Sequence, residues 1–246
     1  MEQFKEIDVD GVTQRFRWIE PGHFLMGSPA DEPDRYNDEA QHEVTLSRGY
    51  WLADTACTKA FWQAVMGYNP GHFNDYARNP VTNVSWNDVQ RFIGELQRRV
   101  AGLAVRLPSE AEWEYACRAG TTTPFSFGKD ITTEQVNYNG DHPYAGGALG
   151  LYRQWSVPVK TFPANAWGLY EMHGNVWEWC ADFYGAYPSK PQIDPQGPPS
   201  GRSRVVRGGS WHNHGRDVRS SSRCMNTLHR RQDTVGFRLA TDGDRQ

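Results

Sequence analysis

Two histidines separated by one residue are the first side chains in this sequence that could hold a transition metal. His212 and His214 flank Asn213, and this spacing places both imidazoles on one face of a strand. Two imidazoles and a third ligand suit a transition-metal ion. Because the sequence places no third histidine or carboxylate beside them, an exposed polar surface is the favoured interpretation.

An acidic turn is the second candidate site. Glu171 and Glu178 flank the Gly-containing stretch 174–177. Two carboxylates together with the carbonyl oxygens of a turn form the ligand set that Ca²⁺ prefers. The same pair could act as a general acid and a general base, although no neighbouring residue marks a substrate.

Motifs for nucleophilic or phosphate chemistry are missing from the sequence. It contains no G-x-S-x-G, no P-loop and no G-x-G-x-x-G after a strand. The four cysteines, at positions 57, 117, 180 and 224, share no C-x-x-C spacing. Cys117 and Cys180 are expected to be buried, reduced thiols.

Composition excludes several classes of protein. The chain has 246 residues, a net charge of −3 and 13% aromatic residues. No apolar run approaches the ~18 residues that span a bilayer, and the first six residues lack the pattern of a secretory signal. A membrane protein, a coiled coil and a disordered chain are excluded, and a cytoplasmic location is expected.

Charge is distributed unevenly along the chain. Residues 201–240 contain nine Arg, no Lys and two acids, which gives +7, whereas the remainder carries 17 basic and 27 acidic residues, which gives −10. Such asymmetry can mark a surface for nucleic acid or another anionic partner. Alternatively, the planar guanidinium groups fasten loops inside the fold.

The elements that must position these residues are few and short. Helices are predicted over Thr58–Met66 and after the N-cap residues Ser85 and Ser109, each of which begins a capping box. The predicted strands are Gln14–Ile19, His23–Met26, Glu43–Ser47, Val157–Thr161 and Arg204–Arg207. From about residue 120 onward, Gly, Pro, Asn and Asp interrupt nearly every run, and recurring Trp residues indicate ordered loops. The pattern predicts a single mixed α+β domain over residues 1–246.

Several motifs resemble one protein family. Residues 167–179 read W-G-L-Y-E-M-H-G-N-V-W-E-W, 204–211 read R-V-V-R-G-G-S-W, and 236–240 read G-F-R-L-A. Together with 79–86 and 106–114, they resemble the formylglycine-generating enzyme (sulfatase-modifying factor) superfamily in order and spacing. The resemblance implies a C-type lectin-like fold with little regular secondary structure.

The resemblance also implies which site residues this chain keeps. Enzymatic members of the family bind copper with two cysteines, two and seven residues after the aromatic residue of the Gly-Gly-Ser motif. Asn213 and Val218 occupy those positions here, so formylglycine synthesis and copper binding are not expected. The family's calcium site corresponds to the side chains of Glu171 and Glu178 and the carbonyls of Gly174 and Val176. A second family site corresponds to Asn137 and the Tyr138 carbonyl, but Leu151 stands near the position of its acid.

The C-terminal segment resembles the variable proteins of diversity-generating retroelements. A regular frame of arginines, at positions 207, 216, 219, 223, 231 and 238, alternates with chemically unrelated residues. We interpret those six arginines as internal, with Arg202, Arg204 and Arg230 left for the surface and Trp211 buried beneath it. The unrelated residues are His212, Asn213, His214, Asp217, Ser222, Cys224, Met225, His229, Arg230, Gln232, Asp233 and Thr234.

Three functions follow as hypotheses. The first is a non-catalytic binding protein that contacts a protein or another macromolecule through residues 212–234, either as a diversified copy or as an undiversified relative. The second is a metal-dependent oxidase or protein-modifying enzyme that uses His212, His214 and His173. Nucleic-acid binding through the arginine-rich end is third, because the frame arginines are interpreted as internal.

Overall fold

Short strands and three α-helices make up the computed structural model, which describes residues 4–71 and 76–243. The helices are α1 (Lys59–Met66), α2 (Trp86–Arg99) and α3 (Glu110–Arg118). The strands are β1 (Phe4–Val9), β2 (Val12–Ile19), β3 (Gly22–Met26), β4 (His42–Leu46), β5 (Tyr50–Ala53), β6 (Val105–Arg106), β7 (Trp177–Phe183), β8 (Gln192–Ile193), β9 (Ser203–Arg207), β10 (Arg223–Thr227), β11 (Val235–Gly236) and β12 (Ala240–Thr241). Two 3₁₀ turns cover Tyr144–Gly146 and Gly215–Val218. No helix in the described ranges is both long enough and apolar enough to cross a membrane.

The helices begin where the capping residues predict. The side chain of Thr58 accepts the Phe61 N–H at the start of α1. Ser85 with Asp88, and Ser109 with Glu112, form reciprocal capping boxes at α2 and α3. Capping is determined by residues within one turn, which is why the sequence alone located all three starts.

Four of the five predicted strands coincide with β2, β3, β4 and β9, but the prediction for Val157–Thr161 is wrong. That stretch is irregular chain and turn. Pro158 has no N–H for a ladder, and Lys160 has a φ of 65°, which takes the backbone out of the extended region. The Val157 N–H donates to the Asn175 side chain at 2.9 Å instead of to a neighbouring strand.

The strands form three sheets. Their orders are β1-β2-β5-β12-β6, β10-β9-β7-β11 and β3-β4-β8. In the second sheet β10 pairs antiparallel with β9 and occupies an edge, so one side of the residue 223–227 segment is held by a ladder. This sheet joins the W-E-W run of β7 to the C-terminal segment.

Three apolar clusters fill the spaces between these elements. The first packs α1 and α2 against the chain end, with Trp62 stacked on Phe92 at 5.0 Å and Phe237 against both rings. The second surrounds Trp113 of α3. The third is small and includes Val218, so the 3₁₀ turn at 215–218 is fixed by apolar packing.

Candidate ligand-binding surface and the buried arginines beneath it

Four of the six frame arginines are buried. Arg207, Arg219 and Arg238 have 0% exposure, and Arg223 has 6%. The interpretation of these four as internal is confirmed, so four of the nine arginines in residues 201–240 lie inside the molecule.

Carboxylates from distant parts of the chain neutralise these arginines. Arg219 binds Glu32 and Glu39, with nitrogen–oxygen distances of 2.6 and 2.7 Å. Arg223 pairs with Glu110 at 2.7 Å, and Arg207 pairs with Glu114. Backbone carbonyls such as those of Ser222 and Ala53 also accept from these arginines, but full burial of a guanidinium requires a counter-charge as well.

The pKa of Glu39 shows which effect dominates in such a pair. Burial alone would raise the pKa of this carboxyl group, but hydrogen bonds and the charge of Arg219 lower it below its ordinary value. The pair is therefore ionised.

The other two frame arginines are exposed, which corrects the prediction. The Arg216 guanidinium lies over the Tyr36 ring at 4.6 Å, and its side chain is 47% exposed. Arg231 donates to Asp88 from a side chain that is 55% exposed. Conversely, Arg204, which we assigned to the surface, is partly buried and packs over Trp86 and Phe183.

Most of the predicted contact residues reach solvent. We call residues 212–234 the contact segment. Its exposed members from the predicted set are His212, His214, Cys224, Met225, His229, Arg230 and Asp233. Asn213, Asp217, Gln232 and Thr234 are partly buried.

Ser222 corrects the predicted set because it is buried, with 1% exposure. Its carbonyl accepts a hydrogen bond from the Arg207 guanidinium. This residue leads into β10 within the core, so it contributes to the scaffold and not to a contact surface.

Asn213 also supports the scaffold. Its side-chain oxygen accepts hydrogen bonds from Trp177 Nε1 at 2.8 Å and from Ser210 Oγ at 2.7 Å. Its carbonyl accepts the Asn139 N–H at 2.9 Å. Asn213 thus joins β7, the Gly-Gly-Ser turn and the 137–142 stretch.

Asp217 holds the 3₁₀ turn of the contact segment in place. Its carboxylate accepts the His214 N–H at 3.1 Å and the Tyr36 hydroxyl at 2.6 Å. Burial and then this hydrogen bond raise the pKa of Tyr36 to about 12. The turn is therefore fixed from both sides while His214 and Arg216 remain exposed.

A loop that sequence reasoning missed extends this surface. The Tyr152 hydroxyl forms a hydrogen bond of 2.9 Å with Nδ1 of His212, and the Tyr152 ring stacks beside the Trp211 ring. Trp211 itself is partly exposed, so the prediction that it is buried is wrong. Leu149, Leu151 and Trp155 are 77%, 57% and 58% exposed. In the sequence, the apolar side chains next to the glycines of residues 146–150 could have indicated an exposed loop that contributes to this surface.

The histidines proposed for a metal site are not brought together. His173 is 3% exposed, and its Nδ1 lies 2.8 Å from the Val218 carbonyl while Nε2 accepts the Ser126 N–H at 3.1 Å. Burial lowers the pKa of His173 to about 4. His214 instead stacks on His142 at 4.0 Å. Within residues 4–71 and 76–243, no three His, Cys, Asp or Glu side chains are grouped to hold a metal ion.

The cysteines are free thiols. Cys117 and Cys180 are buried, as predicted, and Cys224 is exposed. Burial raises the pKa of Cys117 to about 12, so this thiol is protonated at neutral pH.

Glu178, an expected calcium ligand, pairs with an arginine in this structure. Its two carboxylate oxygens accept Arg238 Nε at 2.6 Å and Nη2 at 2.8 Å, and Trp113 Nε1 donates to the same group at 2.7 Å. The guanidinium thus supplies the positive charge that a bound cation would supply. Glu171 accepts the N–H groups of Lys160 and Phe162, and burial raises its pKa.

The carbonyls of the 174–176 turn and the residues of the second family site provide few free ligands for calcium. The Gly174 carbonyl accepts the Val176 N–H at 2.9 Å. In the second set, the buried Asn137 Oδ1 has no hydrogen-bond partner in the described chain, but Leu151 offers no carboxylate. Calcium binding stays a prediction, and no chemistry is derived through it.

Comparison with known proteins agrees with this geometry. The sulfatase-modifying factor enzyme 1-like domain model matches residues 3–243. A formylglycine-generating enzyme of Streptomyces coelicolor is 38% identical over 176 residues, 68% of this chain and 54% of that protein. The chain thus spans about half the length of that curated relative.

Two solved structures share the fold over almost their whole length. Treponema denticola variable protein 1 superposes with a TM-score of 0.85 and 27% identity, covering 98% of this chain and 99% of that one. PvdO from Pseudomonas aeruginosa gives a TM-score of 0.80 and 28% identity over 93% and 94%. The chain therefore belongs to the sulfatase-modifying factor family, together with the formylglycine-generating enzymes, and has its α+β, C-type lectin-like fold.

Proposed function

We propose that this chain is a non-catalytic binding protein that presents the contact segment to a protein or another macromolecular ligand. The observation that carries the proposal is the separation of roles within residues 212–234. Arg219, Asn213 and Asp217 bind the scaffold, whereas His212, Met225 and the other exposed residues project from it. Loops on a rigid scaffold are where recognition residues concentrate.

The positions of the family's cysteine pair support a non-catalytic role. Asn213 uses its side chain to bind Trp177, and Val218 is fully buried in an apolar cluster. Cys224 lies on β10 and is a single exposed thiol. A mechanism that needs two neighbouring thiolates has no equivalent residues at these positions.

The chemistry of the exposed residues favours a protein partner. The aromatic and apolar groups Trp155, Leu149 and Leu151 adjoin Tyr152, which contacts the contact segment. Aromatic residues, Met and Arg are enriched in protein interfaces. Nucleic acid is disfavoured because the buried arginines are already neutralised by carboxylates.

The likeness to Treponema denticola variable protein 1 supports a narrower proposal, namely that the contact segment is the diversified part of a retroelement variable protein. An undiversified binding relative would have the same surface. A reverse transcriptase gene and a near-copy of the segment's coding sequence beside this gene would distinguish the first from the second.

A pair of display libraries tests the proposal. The first randomises the exposed positions 212, 214, 225, 229, 230 and 233, and most members should keep a melting temperature within about 3 °C of the parent. Selection of this library against unrelated purified proteins should recover specific binders. The matched library randomises the buried positions 207, 219, 223 and 238 and should contain few folded members. General unfolding of the first library would contradict the proposal.

A direct assay addresses the enzymatic alternative. The purified protein, supplied with copper, is incubated with a cysteine-containing peptide, and the peptide is examined by mass spectrometry. We expect the cysteine to remain unmodified. Conversion to an aldehyde, lost on His212→Ala or His214→Ala, would replace the binding proposal with the oxidase.

A further inference from the structure

A cavity with no assigned role lies away from the exposed residues of the contact segment. Its volume is about 310 Å³, within the lower range of small-molecule sites. It is bounded by the first turn of α3, the end of β7 and the chain from 185 to 198. Arg223 is its one lining residue from the contact segment.

Two charged side chains in the wall of this cavity, Arg223 and Glu110, form an ion pair with each other. Arg223 donates to both oxygens of Glu110, at 2.8 and 2.7 Å, and also to the Gly185 carbonyl at 2.8 Å. The Tyr187 hydroxyl donates to Glu110 at 2.9 Å. With its donors directed to these acceptors, Arg223 offers little to an anionic ligand.

Asp182 is an acid in this wall that forms no ion pair within the described residues, although the charge of Arg204 lies near enough to interact with it. It is 3% exposed, and its Oδ2 accepts the Glu110 N–H at 2.8 Å. Its own backbone N–H also interacts with the carboxylate, and Arg223, the cation in this wall, pairs with Glu110 and not with Asp182. Burial, and then the charge of Glu110, raise the pKa of Asp182 to about 7.

The rest of the wall is largely apolar. Phe183, Ala186, Pro188, Pro195 and Pro198 line the cavity around Asp182. His42, Gln192 and Gln196 are the other polar side chains of the lining, so the apolar part of the wall suits an aliphatic chain. Burying a carboxylate without a cation is unfavourable, so a positively charged group beside Asp182 would be strongly preferred over a neutral one.

We propose that this cavity binds a protonated alkylamine, with the ammonium group on Asp182 and the alkyl chain against the proline-lined wall. The alkylamine can be a free small molecule or the side chain of a lysine in a partner protein. This proposal does not depend on the function of residues 212–234.

Calorimetric titration of the folded protein at pH 8 tests the proposal. The probes are n-butylamine and a short peptide with one central lysine, and n-butanol is the uncharged control. We expect at least one amine to bind and n-butanol not to bind. Binding of n-butylamine identifies a free amine as a ligand, whereas binding of the peptide alone identifies a protein side chain.

Asp182→Asn is the decisive variant, because an amide oxygen can still accept the Glu110 N–H. We expect amine affinity to fall at least about tenfold in this variant. His212→Ala, on the exposed contact segment, should leave amine binding unchanged. Failure of both amines to bind, or equal binding by Asp182→Asn, overturns the proposal without affecting the proposed contact surface.

Discussion

Arg219 and Glu39, 180 residues apart in the chain, form a bidentate ion pair in which neither side chain is exposed. The pair fastens the end of the 3₁₀ turn at 215–218 to the loop before β4, and Glu32 and Ser221 add further hydrogen bonds to it. The pair holds the inner side of a segment whose outer side chains, such as His214 and Arg230, are exposed.

Removing the guanidinium should therefore destabilise the whole protein. In Arg219→Met, Glu32 and Glu39 lose their counter-charge inside the molecule, and the free energy of unfolding should fall by about 3–5 kcal/mol. Urea denaturation measures this change. The matched control Arg230→Met alters an exposed arginine in the same segment and should change stability by about 0.5 kcal/mol or less. Similar effects for the two variants would show that the ion pair is not an anchor.

Neighbouring residues of the contact segment should differ sharply in their tolerance to substitution. Asn213→Ala removes the acceptor of Trp177 Nε1 and Ser210 Oγ, and we expect a loss of about 1–3 kcal/mol. His212→Ala, one residue earlier, should be close to neutral because its side chain is exposed. Chemical denaturation followed by tryptophan fluorescence compares the two. If Asn213→Ala leaves the free energy of unfolding unchanged, Asn213 does not support the scaffold and is better assigned to the contact surface.

His173 should make the protein sensitive to acid. Its folded pKa of about 4 lies below the ordinary value of 6.5, so the unfolded chain binds more protons between these pH values. Stability should therefore fall as the pH is lowered through this window, by about 1.4 kcal/mol for each unit of pKa difference over the full window. Protonation would also place a proton on Nε2, where the Ser126 N–H donates.

The test compares unfolding of the wild type and His173→Asn between pH 4 and pH 8. Asparagine does not titrate, so the difference in stability between the two proteins should shrink as the pH falls. An unchanged difference would mean that His173 has the same pKa in the folded and the unfolded protein.

Ionisation of Asp182 should have the opposite pH dependence to that of His173, with stability falling as the pH rises. Its folded pKa of about 7 lies above the ordinary 3.8, so the folded protein holds the extra proton between these values. Its contribution to stability is present at low pH and is lost as the pH rises toward 7. Asp182→Asn should therefore be increasingly stable relative to the wild type from pH 4 to pH 8, as measured by urea denaturation. A constant difference would indicate an ordinary pKa for this carboxyl group.

The sequence predicted the parts of this structure that depend on neighbouring residues. The capping boxes at Ser85 and Ser109 and the interior role of Arg219 and Arg238 followed from local pattern and family resemblance. The acidic partners could not be found in this way, since Glu32 lies 187 residues from Arg219.

Exposure within the C-terminal segment was harder to predict. Ser222 was predicted to be exposed and Arg231 to be buried, and both predictions are wrong. Buried and exposed side chains do not alternate with a regular period along an irregular loop. Trp211 was also misplaced, since its environment depends on Tyr152 from a distant loop.

Glu178 provides the last prediction, because it decides between an arginine and a calcium ion as the partner of this carboxylate. Glu178→Gln leaves the buried Arg238 without its counter-charge, and we expect a loss of about 3–5 kcal/mol in unfolding free energy. The loss should be the same in calcium and in chelator, because Arg238 and Trp113 donate to the carboxylate. Melting curves of the wild type and the variant in both conditions measure it. A calcium-dependent rise in melting temperature that the wild type shows and Glu178→Gln lacks would instead make Glu178 a calcium ligand, with Arg238 displaced from it.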